Sequence, residues 1–113
     1  MLSKELVAAS TVPLVLSVLT EGESYGYALI QRVRELSAGK IEWTEGMLYP
    51  VLHRLEKAGQ IKARWKTADS GRRRKYYSIS PRGKTALAKM MEQWSLVNRT
   101  LTDMWEPRHA FQP

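Results

Sequence analysis

Residues 70–84 read SGRRRKYYSISPRGK, and their reading decides the fold. Four consecutive cations, Arg72, Arg73, Arg74 and Lys75, run straight into Tyr76 and Tyr77 and an alternating pattern, after which Ser80 and Pro81 form a strong helix start. A charge run by itself is more often a solvated face than a grip on phosphate. What lies on either side settles which.

Upstream, residues 60–66 (QIKARWK) alternate too, with Ile61, Ala63 and Trp65 on one face and Lys62, Arg64 and Lys66 on the other, as a half-buried strand requires. The turn-forming TADSG lies between the two segments, so together they form a hairpin with a basic tip and basic exteriors. On this pattern Trp65 is expected to be a core anchor, like Trp43. Of Tyr76 and Tyr77, one packs inward and one outward; alternation does not say which.

Three helices precede the hairpin. The first is expected to start near Ser10 or Thr11 with Pro13 in its first turn, leaving residues 2–9 as a kinked or separate arm. Ser24 is read as the cap of the second, with Leu29, Ile30, Val33 and Leu36 on one face and Gly39 at its end. The third has Thr44 as cap, Leu48, Val51, Leu52 and Leu55 as its buried stripe, and Gly59 at its stop. Pro50 falls inside it, four residues after Gly46, and is read as a tolerated kink.

Downstream of the hairpin, Leu87, Met90, Trp94, Val97, Leu101 and Met104 recur at alternating spacings of three and four. A helix over 81–105 would be roughly 37 Å long at 1.5 Å per residue, longer than so small a body can cover, so its seam calls for a partner chain. The expected organisation is a winged helix-turn-helix domain with an N-terminal helical arm over 1–80, a dimerisation helix over 81–106 and a tail over 107–113. The fold class is mainly α with a small β-hairpin.

Composition agrees. A chain of 113 residues with 43% hydrophobic and 26% charged side chains is one globular domain. The apolar run VPLVLSVL is too short to span a bilayer and lacks a signal peptide's flanks, so no membrane or export role is expected. The absence of cysteine removes disulfides and thiolate chemistry and suits a reducing cytoplasm, the expected location. Net charge is +7, yet residues 57–89 carry eleven Lys or Arg against the single acid Asp69. Such a one-sided field favours a polyanion, with nucleic acid ahead of an anionic membrane surface.

Helix, helix, helix and basic hairpin is the order of a winged helix, whose third helix enters the major groove of duplex DNA. Its outer face offers Thr44, Glu45, Tyr49, Pro50, His53, Arg54 and Lys57, a donor-rich set suited to base edges and phosphates. An enzyme is not expected: His53 and His109 have no carboxylate at triad or metal-ligand spacing, and no glycine-rich phosphate loop follows a strand. No metal or cofactor is called for. The alternative is a protein-interaction adaptor on the same fold without an effector, which would carry an apolar rather than polar third helix.

Three blocks, SYGYALIQRVRE (24–35), TEGMLYPVLHRLEKAGQI (44–61) and GRRRKYYSISPRGK (71–84), resemble the signature of the PadR family of bacterial transcriptional regulators, in its order and spacing. The single long last helix is similar to that of the family's short subfamily. The resemblance implies a dimeric winged-helix repressor that releases its operator when a small molecule binds, and the two-fold symmetry of such a dimer makes a pseudo-palindromic operator the expected one. It places Tyr49 and the wing cations Arg73, Arg74 and Lys75 near DNA, to which the cationic run adds Arg72 and the polar face of the third helix adds His53, Arg54 and Lys57. EQWSLVNRTL (92–101) is also similar to the last helix of drug-sensing members, in which the tryptophan matching Trp94 stacks on flat aromatic ligands. Met90, Met91 and Val97 join Trp94 as effector-site residues, and Trp105 is expected near them. Soft, flat side chains suit such a pocket, although they equally suit a dimer core.

Overall fold

The computed structural model describes residues 1–106; the expected tail with His109 lies outside the described residues. Along the described chain run α1 (Lys4–Leu19), α2 (Gly26–Leu36), α3 (Glu45–Lys57), β1 (Ile61–Thr67), β2 (Arg73–Ile79) and α4 (Pro81–Trp105). The strands pair antiparallel with Ala63 opposite Tyr77 and Trp65 opposite Lys75. The mainly helical winged-helix fold expected from the sequence is present.

The first helix differs from its expectation. It is one continuous helix capped by Ser3, whose hydroxyl accepts from the Leu6 amide at 3.1 Å, and Pro13 lies inside it. Ser10 and Thr11 cap nothing. Their hydroxyls donate back to the Val7 carbonyl at 3.0 and 2.8 Å, within the helix. A mid-helix proline costs about 3 kcal/mol in isolation, but Val15, Leu16, Val18 and Leu19 are buried, and packing of this face outweighs the local cost.

Ser24 does not cap α2 either. Its amide donates to the Tyr77 carbonyl at 3.0 Å, and the Tyr77 amide donates to the Ser24 carbonyl at 2.7 Å. Ser24 thus adds a one-residue bridge to the outer edge of β2 and ties the α1–α2 turn to the hairpin. Helix α3 is as expected: Thr44 accepts from the Met47 amide at 3.2 Å, Leu48, Val51, Leu52 and Leu55 are buried, and the helix continues through Pro50.

Leu16, Leu29, Leu48, Leu52 and Ile61 are the largest fully buried side chains, with Trp43, Tyr77 and Leu87 closing the core around them. Each such aliphatic side chain contributes roughly 1.5–3 kcal/mol on burial. The core ends partway along the hairpin: Ile61 is buried and Ala63 half-buried, whereas Trp65 is 58% exposed. The expectation of Trp65 as a core anchor is therefore corrected, while Trp43 does fill that role. Tyr77 packs inward, and Tyr76 lies on the opposite face against Tyr25, with ring centroids 5.3 Å apart.

Ser80 launches α4 from a tight joint, donating to the Gly59 carbonyl at 2.6 Å and accepting from the Gly83 amide at 3.1 Å. Leu87 is buried, Met90 packs against the core, and Met91 and Trp94 still face α1, after which the helix projects from the body. Trp94, Val97, Leu101 and Met104, the rest of the seam, are exposed, and the described chain extends 66 Å along its longest axis. Trp105 is not beside Trp94: eleven residues of helix separate them by about 16 Å along the axis.

Candidate nucleic-acid interface

One open groove collects most of the residues expected to meet DNA. Helix α3 lays Glu45, Tyr49, His53 and Glu56 along one side, the hairpin brings Trp65 of β1, Arg72 of its loop and Arg73, Arg74 and Lys75 of β2 along the other, and the start of α2 closes the end. Spacings of four, four and three put those α3 residues on a single helical stripe. Arg54 and Lys57 are exposed on α3 but outside the groove, on the flank that also carries Pro50. Six of the eight sequence-expected residues thus share one concavity, and the other two lie outside it.

The groove end is built by a close approach. Tyr49 lies over Gly26 so tightly that a Cβ there would stand 2.6 Å from the phenolic oxygen and 2.9 Å from Cζ. With the ring in this place α2 can start beneath it only because position 26 has no Cβ; a larger residue would require the ring to move. Tyr25, in the cap position of α2, makes no side-chain cap bond, so the helix N-terminus opens towards the groove with its amides uncapped. Gly26→Ala is expected to push the flexible Tyr49 ring aside at a stability cost of about 1 kcal/mol, while weakening DNA binding as strongly as Tyr49→Ala does. Paired thermal melts and binding titrations of the two variants check this; a Gly26→Ala protein that binds DNA like wild type would contradict it.

Charge in the hairpin is divided by its acidic neighbours. Glu23, from the α1–α2 turn, takes two hydrogen bonds from Arg64, at 3.1 and 3.2 Å, and one from Lys66. The Arg64 and Lys66 hydrogen bonds hold the Glu23 carboxyl at about 2, well below its ordinary 4.5. Lys75 donates to Glu56 of α3 at 3.2 Å, and this bond raises its pKa. It therefore pins the hairpin to α3 across the groove. Arg72, Arg73 and Arg74 make no ion pair among the described residues, and two of them are held by rings instead: Arg74 lies 4.4 Å from the Tyr25 centroid and Arg73 5.3 Å from that of Trp65. A guanidinium stacked on a ring keeps its donor edge available for phosphate oxygens.

The sequence reading missed Glu23, Glu56, Tyr25 and Trp65 as shapers of this site. The two acids act on cations 19 to 43 residues away, beyond any local pattern. Among the described residues no group of three or more His, Asp or Glu side chains is placed to hold a metal, and no helix is long and apolar enough to cross a membrane.

Three helices, a hairpin bridged to the α1–α2 turn and a cationic groove between the third helix and the hairpin define a winged-helix DNA-binding protein. The chain belongs to the Transcriptional regulator PadR-like family, whose profile matches residues 15–89. It is similar to a transcriptional regulator from Clostridium thermocellum, 29% identical with a TM-score of 0.83, covering 94% of this chain and all of that one. A PadR family transcriptional regulator from Eggerthella lenta is 33% identical at a TM-score of 0.75, covering 91% of this chain and 88% of its own. A PadR-like transcriptional regulator from Bacillus cereus is 25% identical at a TM-score of 0.80, covering 91% and 98% respectively. The protein is a DNA-binding transcriptional regulator of this family.

Proposed function

We propose that the protein is a homodimeric repressor that binds a pseudo-palindromic operator and releases it when a planar aromatic molecule enters an apolar cleft beside α4. The observation that carries this reading is the separation of two surfaces on one chain. The cationic groove lies at the winged body, and an uncovered apolar seam of Trp94, Val97, Leu101 and Met104 lies on the projecting helix. Pairing two such seams about a two-fold axis covers them and presents two α3 helices to one face of DNA, with half-sites about 34–36 Å apart. Residues 1–80 act as the DNA-binding unit and 81–106 as the dimerising one.

Met91 and Trp94 of α4 line an apolar cleft against α1, together with Leu2, Leu6, Pro13 and Leu14. These two residues are the effector contacts favoured by this geometry; Met90 packs on the core, and Val97 lies on the exposed seam. Because α1 also leads through Glu23 and Ser24 to the hairpin, a ligand that parts α1 from α4 shifts the wing as well as the dimer spacing. Its effect on DNA equals its difference in affinity for the two arrangements.

The test is selection of bound genomic fragments with and without a panel of planar aromatic compounds, paired with tryptophan fluorescence. Compounds that release DNA are expected to quench emission in wild type and much less in Trp94→Ala. Equal quenching removes Trp94 from the site, and enrichment of no common sequence removes the operator.

A further inference from the structure

Among the described residues, Trp65 is the one large aromatic side chain that the hairpin leaves in water on the groove side. It stands on the same face of the sheet as buried Ile61 and Tyr77, but one step beyond the end of the core, and it is 58% exposed. No packing need keeps an indole there. Its ring carries the Arg73 guanidinium at 5.3 Å, diagonally across the ladder, since Arg73 pairs with Thr67 and Trp65 with Lys75. Lys75 beside it is committed to Glu56, whereas Arg73 is exposed and makes no ion pair among the described residues.

We propose that Trp65 is a positioning residue for DNA binding, its indole face holding the Arg73 guanidinium towards the groove so that it engages a backbone phosphate of duplex DNA. The inference rests on the DNA-binding reading of the groove and deepens it. Long cationic side chains lose rotamer freedom when they bind. A ring that already holds the guanidinium by cation–π attraction reduces that loss and leaves its N–H donors free for phosphate. A leucine of similar reach cannot do this, because it has no π face; phenylalanine can.

The experiment titrates wild type, Trp65→Leu, Trp65→Phe, Arg73→Ala and the double variant Trp65→Leu/Arg73→Ala against a labelled mixed-sequence duplex of about three helical turns, over a salt series. Arg73→Ala and Trp65→Leu are each expected to lower the magnitude of the log–log salt slope by about one. The double variant should lose no more than either single one, because both remove the same phosphate interaction. Trp65→Phe should recover most of what Trp65→Leu loses. A Trp65→Leu slope equal to wild type, or a double variant that loses about two, overturns the proposal. Failure of wild type to bind the duplex at low salt overturns the groove reading itself, which separates the two outcomes.

Discussion

Gly83→Ala is expected to lower the stability of the protein by about 3 kcal/mol and its melting temperature by roughly 10 °C. A Cβ at position 83 would lie 2.1 Å from the Gln60 carbonyl oxygen, 3.0 Å from the Gln60 carbonyl carbon and 2.8 Å from Ile79 Cγ1. Two of those atoms are backbone, so no rotamer change relieves the overlap. The Gln60 carbonyl also accepts from the Ser80 amide at 3.0 Å, and the Gly83 amide donates to the Ser80 hydroxyl, so displacing Gln60 strains the cap that starts α4. The joint unites the exit of α3, the entry of β1 and the origin of α4. Lys84→Ala, one residue on at an exposed position, is the control and should stay within about 0.5 kcal/mol of wild type. Urea or thermal unfolding measures both; equal midpoints for Gly83→Ala and Lys84→Ala would refute the close-approach argument.

The second large effect concerns binding. Replacing Arg73 and Arg74 together with alanine is expected to weaken duplex DNA binding about fifty-fold at 0.1 M salt and to flatten the log–log slope by about two, at roughly 0.9 for each phosphate left without its cation. Arg64→Ala is the informative contrast. It removes the same formal charge from the same hairpin, but that charge is bonded to Glu23 at both its Nε and Nη2 positions. Its slope should change by much less than one. If Arg64→Ala flattens the slope as far as Arg73→Ala does, net charge rather than placement governs the interaction, and the groove loses its special role.

This contrast marks where sequence reading stops. Counting cations over 57–89 identifies a basic segment, and every Lys or Arg in it counts equally. In the folded chain Arg64 and Lys66 are shared with Glu23, Lys75 is bonded to Glu56, and Arg73 and Arg74 rest on aromatic rings. The same positive charge thus performs two kinds of work: some cations fasten the hairpin to its neighbours, while others face the groove. Acids far away in sequence make the division.

Local rules were sufficient wherever the deciding interaction spans only a few residues. Thr44 and Ser80 act as caps because each hydroxyl needs only an amide three residues on, and the buried stripe of α3 follows from helical period alone. The three signature blocks, their order and the basic hairpin were legible in the same way. Local rules misled at Pro13, where tertiary burial of α1 overrides a breaker, and at Ser24, whose backbone is claimed by Tyr77 across the chain rather than by α2.

Element order, the two periodicities, the concentration of charge and the family all follow from the residues in line. How far the core reaches along the hairpin does not. Alternation assigns Trp65 and Tyr77 to one face, but a face is buried only where something packs on it, and that packing ends between Ala63 and Trp65. Tyr77 is therefore a core residue, and Trp65, on the same face one pair further out, stands in the groove. Gly26 under Tyr49 and Gly83 against Gln60 belong to the same class: the need for a missing Cβ appears only when a second segment arrives.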